Sequence, residues 1–252
     1  MRIIYLIYQW IIAYPLIIVC TLITSLFTII GSAIGNRDFW GYYPPMLWSR
    51  FICAVLFIRT EIKGKENIDP KTSYVFVSNH QGAFDIFLVY GYLGHNFKWM
   101  MKKSLKKIPF VGTACEYAGH IMVDRSSKAS IRQTMHNAEK TLRGGMSLVV
   151  FPEGTRCKNG RMQPFKRGAF MLAEELSLPV VPLTIDGAFD LLPKDSINVH
   201  PGKVTLTIHP PITPPDNGKY DLDQLIKESY NSIASALPHE TPIAEKNQTL
   251  RQ

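Results

Sequence analysis

The sequence predicts an α/β fold, a mostly parallel sheet flanked by helices, with an N-terminal apolar helical membrane element. Three observations carry this. Residues 3–36 contain no charged side chain, a stretch longer than the ~20 apolar residues that cross a bilayer core. Beyond residue 60, short β-branched and aromatic runs alternate with segments whose apolar residues recur every three to four positions, the pattern of strand and helix layers. Hydrophobic residues make up 46% of the 252 and charged residues 19%, enough for a sizeable core and incompatible with disordered, collagen-like or coiled-coil chains. The expected division is a membrane-binding element over 1–58, an α/β domain over 59–238 and a loose polar tail over 239–252.

Taken in order, Pro15 interrupts the first apolar run, and Gly31 and Gly35 end it. A kinked span and a shallow helical hairpin both satisfy the backbone in lipid. A cleaved signal, with an apolar part of only ~7–15 residues, is too short to account for the run. Trp40, Tyr42, Tyr43 and Trp48 then precede the apolar segment 51–58, an aromatic density typical of the headgroup level. Arg50 inside this patch argues against a second clean span, so 40–58 reads as an interfacial element, with a buried soluble helix pair as the alternative. Only Arg2 precedes the apolar run, whereas Arg37, Arg50, Arg59, Lys63 and Lys65 follow it. That bias puts the following domain on the cytoplasmic face of a cell membrane.

Residues 72–78 (TSYVFVS) read as a buried strand and 86–92 as an apolar helix. In 130–142, Ile131, Met135, Ala138 and Leu142 fall at helical spacing, and Gly144-Gly145 stops the helix. Then come a strand over 147–151, a helix over 170–176, strands over 179–185 and 204–208, and a closing helix over 222–237.

Lys and Arg number 28 against 20 Asp and Glu, a net charge of +8, which favours an anionic partner. The excess is local: residues 98–167 hold 15 Lys or Arg and four Asp or Glu, so the remainder is net acidic. Aromatic residues do not interleave with this basic run and no recognition motif accompanies it. Nucleic acid is therefore not the expected partner; a membrane phospholipid surface or a phosphorylated substrate is. Cys20, Cys53, Cys115 and Cys157 are scattered without a CxxC pair, which argues against a disulfide framework or a zinc ribbon.

Two loops carry chemistry. Residues 78–85 (SNHQGAFD) follow a strand and open a helix. His80 and Asp85, five apart, would diverge by about 140° on a regular helix, so a turn at Gly82 must bring them together. A carboxylate holding one imidazole N–H leaves the other nitrogen as a base. By itself the pair is a weak signal, because a satisfied strand-end histidine beside an ordinary helix-start aspartate is commoner. Residues 151–156 (FPEGTR) form a tight loop after the next strand, where Arg156 can grip phosphate oxygens in a bidentate, charge-assisted contact. Lys166 and Arg167 follow, and Lys98, Lys102, Lys103, Lys106 and Lys107 precede. His80, Asp85, His120 and Asp124 can be assembled into a metal ligand list only at spacings that match no known site.

The set NHQGAFD (79–85), KKSLKKIPFVG (102–112), GHIMVDR (119–125), FPEGTR (151–156) and VVPLTI (180–185) resembles, in order and spacing, the bacterial-type 1-acyl-sn-glycerol-3-phosphate acyltransferase family over roughly residues 60–210. The resemblance implies that His80 is a general base oriented by Asp85. It also implies that Lys102, Arg125, Glu153, Gly154, Thr155 and Arg156 bind substrate, and that residues 59–238 form the catalytic domain. The implied reaction moves an acyl group from a thioester of coenzyme A or acyl carrier protein to the sn-2 hydroxyl of lysophosphatidic acid, giving phosphatidic acid at the inner membrane. No further cofactor and no metal are expected, and the oxyanion donors are expected among backbone N–H groups near the first motif. Other lysolipid acceptors, glycerol 3-phosphate, and a non-catalytic phospholipid-binding protein remain as alternatives. Met122 and Val123 depart mildly from the family pattern and touch only local packing.

Overall fold

Seven strands build one sheet in the computed structural model, which describes residues 2–157, 159–192, 196–215, 219–238 and 240. They are β1 (Ile58–Lys63), β2 (Val75–Ser78), β3 (Phe97–Lys102), β4 (Ile121–Val123), β5 (Ser147–Val150), β6 (Val180–Asp186) and β7 (Gly202–Ile208), in the order β1-β7-β6-β2-β5-β3-β4. Every neighbouring pair is parallel except β6–β7. The helices are α1 (Arg2–Tyr8), α2 (Tyr14–Ile34), α3 (Arg37–Trp40), α4 (Tyr43–Val55), α5 (Phe84–Tyr92), α6 (Val111–Tyr117), α7 (Lys128–Arg143), α8 (Gly168–Glu175), α9 (Ala188–Leu191) and α10 (Leu222–Ser235).

Both faces of the central strands are covered, so they read as continuous apolar runs. Phe76 packs on one face with Phe84, Leu88, Ile52 and Ala13. Val75 and Val77 point to the other, with Ala138, Phe170, Leu172 and Leu225, as alternation along a strand requires. The N-terminal element thus contributes to the same core as the sheet.

α1, a π-helical segment Gln9–Ala13 and α2 run on as one helix, Arg2–Ile34, which by length and composition could cross a membrane. Pro15 explains the π segment: it has no N–H for the carbonyl four residues back, and its ring crowds that carbonyl. The Tyr14 N–H instead donates to Gln9 O, five residues back. The helix is fastened to the rest of the chain by hydrogen bonds near its start and by the packing of α2 on α4 and α6. Tyr5 and Tyr8 donate to Leu56 O and Val55 O, Gln9 to Val199 O, and Tyr14 to Ile197 O. At its far end Trp40 fills the notch left by Gly31 and Gly35, where a Cβ on Gly31 would stand 2.2 Å from the indole. The stretch 40–58, expected as interfacial, is mostly α4 and ends in β1.

The expected strands and helices are present with ends shifted by up to a few residues. β1, β3, β4, α6 and the one-turn α9 were not expected. Lys98 hides β3 in the sequence: it is 4% exposed, yet its ammonium lies 2.8 Å from Asp38 of α3, sixty positions away. The expected polar tail lies almost wholly outside the described residues.

Candidate active site

β2 stops at Ser78 on the carboxyl edge of the parallel strands, where open sheets bind ligands. The loop that follows is clamped on three sides. Asn79 donates to Ile185 O and accepts from the Ile185 N–H, both at 2.8 Å. The His80 N–H donates to Glu153 Oε1 at 2.8 Å, and the Cys157 N–H donates to His80 O at 2.9 Å.

The turn so held brings His80 Nδ1 to 2.6 Å from Asp85 Oδ2, and the same oxygen accepts the Gln81 and Gly82 N–H groups at 2.6 and 2.9 Å. Asp85 is fully buried in the first turn of α5, where the helix N-terminus favours a carboxylate. The His80 ring lies flat on Phe151, centroids 4.1 Å apart and planes 11° apart, and Phe151 stacks in turn on Trp99. With Asp85 accepting the Nδ1–H, Nε2 keeps its lone pair. No described residue bonds Nε2, and His80 lines a cavity of about 970 Å³.

One stretch of that cavity is cationic. Lys102, Arg125, Gly154, Thr155 and Arg156 all line it. Gly154 has φ +74°, open to glycine at little cost. A Cβ there would lie 2.6 Å from Lys166 Nζ and 2.8 Å from Arg125 Nη2. Two cations thus converge on one glycine, and neither has an acidic partner among the described residues. Burial first, and the adjacent Arg125 second, pull the Lys166 ammonium below the ordinary lysine range. Lys166 is the site residue that motif reading left out; its signal was the FKRG run twelve residues after Gly154.

The other stretch is mostly apolar and small-residue, lined by Thr21, Thr24 and Thr28 of α2, Trp48 of α4, Ala114 of α6 and Ala118 just after it. His120 borders it but is neutral: burial, Lys98 and Arg37 depress its pKa to about 3. It bonds Tyr90 through Nε2 and accepts the Trp99 N–H through Nδ1. Asp124 is bound to Lys103. Among the described residues no three His, Cys, Asp or Glu side chains gather as metal ligands do.

One sequence expectation needs correction. Glu153, expected among the substrate contacts, is 3% exposed and faces inward. Its two oxygens accept the His80 and Gln163 N–H groups, so it braces the loop that carries His80 rather than lining the cavity. Of the backbone N–H groups near this motif, those of Gln81 and Gly82 are taken up by Asp85.

Residues 59–186 match the family model described as Acyltransferase. The chain is 30% identical over 221 residues to a 1-acyl-sn-glycerol-3-phosphate acyltransferase of Limnanthes alba, covering 87% of this chain and 73% of that protein. It is 35% identical over 187 residues to one from Chlamydomonas reinhardtii, covering 73% of this chain and 54% of the relative. A chloroplastic relative from Brassica napus gives 36% over 76% of this chain and 54% of its own length. The chain therefore spans about half the length of several curated relatives. The crystal structure of the 1-acyl-sn-glycerophosphate acyltransferase PlsC from Thermotoga maritima superposes with a TM-score of 0.76 at 27% identity, covering 92% of each chain.

Proposed function

We infer that this chain, which belongs to the 1-acyl-sn-glycerol-3-phosphate acyltransferase family, transfers an acyl group from a thioester of coenzyme A or acyl carrier protein to the sn-2 hydroxyl of lysophosphatidic acid. The observation that carries the reading is an aspartate-held imidazole in one cavity with an apolar stretch and with cations that, like His80 Nε2, have no partner among the described residues. Lys102, Arg125, Arg156 and Lys166 bind the acceptor's phosphate, and the wall between α2, α4 and α6 takes an acyl chain.

In the reaction, His80 Nε2 accepts the hydroxyl proton as the oxygen attacks the thioester carbonyl. Asp85 stabilises the imidazolium. The tetrahedral intermediate collapses, the C–S bond breaks, and His80 returns the proton to the leaving thiolate. Transfer is direct. Cys115 borders the cavity, but burial pushes its thiol up to about 11, which supports a mechanism without a cysteine nucleophile. No cofactor enters beyond the thioester.

The chain binds a membrane through the exposed apolar side of Arg2–Ile34, with the catalytic domain on the cytoplasmic face, as the flanking Lys and Arg favour. Its bonds from Gln9 and Tyr14 to Val199 and Ile197, and the packing of α2 on α6, support a helix lying in one leaflet rather than crossing.

Purified protein given lysophosphatidate and an acyl thioester should release free thiol. His80→Ala should lower turnover about 10²–10⁴-fold with the circular dichroism spectrum unchanged. Parental turnover in His80→Ala would overturn the assignment.

A further inference from the structure

Between β3 and α6 the chain presents an unusual surface. Three large apolar side chains stand in solvent within six positions: Leu105 at 40%, Ile108 at 44% and Phe110 at 56% exposure. Lys102, Lys103, Lys106 and Lys107 surround them. Lys103 and Lys106 pair with Asp124 and Glu116, while Lys102 and Lys107 have no acidic partner among the described residues.

The segment is built rather than loosely hung. Lys103–Lys107 forms a 3-10 turn, and the Gly112 N–H donates to Ile108 O. The Lys106 carbonyl packs so closely that a Cβ on Gly112 would meet it at 2.2 Å. Phe110 adopts φ +60° and ψ −52°, a region that side-chain-bearing residues enter only when surrounding structure holds them there. A strained residue whose ring is left in water gains nothing from the domain's own core, and this points to a partner.

Two observations choose that partner. α6 packs against α2, and α2 exposes Leu22, Ile23, Leu26, Phe27 and Ile30, so the segment adjoins the molecule's largest apolar surface. Lys102, Lys103, Leu105, Ile108 and Val111 also line the cavity that holds His80, so the segment forms part of the cavity wall as well as the outer surface.

We propose that residues 103–111 are a second membrane-docking element, specific for an anionic bilayer, past which a lysolipid enters the cavity directly from the leaflet. Leu105, Ile108 and Phe110 enter the acyl layer at its edge while Lys107, which has no acidic partner among the described residues, meets headgroup phosphates. The entry step rests on the acylation reading; the docking does not.

Two measurements on the full chain separate them. In hydrogen–deuterium exchange, amides of 104–112 should be protected on vesicles of equal parts phosphatidylglycerol and phosphatidylcholine, and less so on phosphatidylcholine alone. Phe110→Ser/Lys107→Ser, which changes two side chains that do not line the cavity, should lose that protection while exchange in α5 stays parental, showing an intact fold. The same variant should turn over vesicle-borne lysophosphatidate at least about tenfold more slowly, since burying even one such side chain is worth more than that. A short-chain lysophosphatidate dissolved as monomer should react at the parental rate. Equal protection on all vesicles, or on none, would overturn the docking. Equal loss with both acceptors would overturn the entry route, as would a defect confined to acyl carrier protein as donor, the sign of an acidic protein dock. If the parent acylates no lysophosphatidate, the exchange result still decides the docking.

Discussion

A single carboxylate oxygen, Asp85 Oδ2, accepts three N–H groups: the His80 imidazole and two backbone amides of the turn. The same atom therefore shapes the loop and sets the tautomer, so removing it should disturb both. The cation side of the site is assembled differently, from β4's end, the loop after β5 and the start of α8. Lys166 tests that side. Lys166→Met should raise KM for lysophosphatidate by about tenfold or more, the scale of one lost charge-assisted contact, with kcat changed far less. Lys166→Arg should restore most of the affinity. Steady-state kinetics with the acceptor varied checks this, and an unchanged KM in Lys166→Met would remove the residue from the site. The His80–Asp85 pairing was legible because a turn at Gly82 can close a five-residue gap. The inward turn of Glu153 was not, because a motif names a residue without saying which way its side chain faces.

At the scale of elements, α2 and α3 meet through an absence of side chains. Gly31 and Gly35 leave a notch into which Trp40 fits, so a spacing that in isolated membrane helices joins two chains here folds one chain on itself. Gly31→Ala should destabilise the protein by about 1–3 kcal/mol through overpacking. Adding Trp40→Leu should recover part of that loss, and a double-mutant cycle of thermal melts reads the coupling. Additive losses would mean the two do not pack together. β3 shows why some elements escaped the sequence. Its lysines imitate a solvated face, and only the arrival of Asp38 from α3 makes Lys98 tolerable inside. β4 is three residues long, too short for periodicity to register. β2, β5 and β6 were readable because burial on both faces leaves unbroken apolar runs.

For the whole molecule, buried titratable groups tie stability to pH. Burial raises the Glu153 carboxyl to about 7, with Asp85 and Glu240 adding to the rise, against the lowering effect of the Gln163 and His80 N–H groups. A group whose folded pKa lies above its unfolded value, 4.5 for this carboxyl, gives stability that is full below the unfolded pKa and lost as pH rises through the folded one. Glu153→Gln should therefore destabilise more at pH 5 than at pH 8, by up to about 3 kcal/mol from the linkage. Denaturant melts of both proteins at the two pH values measure the difference, and a pH-independent gap would show that Glu153 does not titrate near neutrality. His120 works in the opposite sense: its folded pKa is depressed, so its contribution is present above its unfolded value and lost as pH falls. Comparing the two proteins at each pH cancels it.

The sequence by itself determined the α/β class, the apolar N-terminal element, the local excess of positive charge and the two loops where polar chemistry gathers. These follow from composition and from periods of two and 3.6 residues, which are properties of the chain read along its length. The tertiary structure alone decided that the apolar helix lies fastened to the domain, that Glu153 braces the histidine from behind, that Lys166 and Arg125 converge on Gly154, and that a lysine-rich segment turns three apolar side chains outward at the cavity wall. Each of these depends on which distant residues arrive at one point, and packing across the sheet settles that where no local period records it.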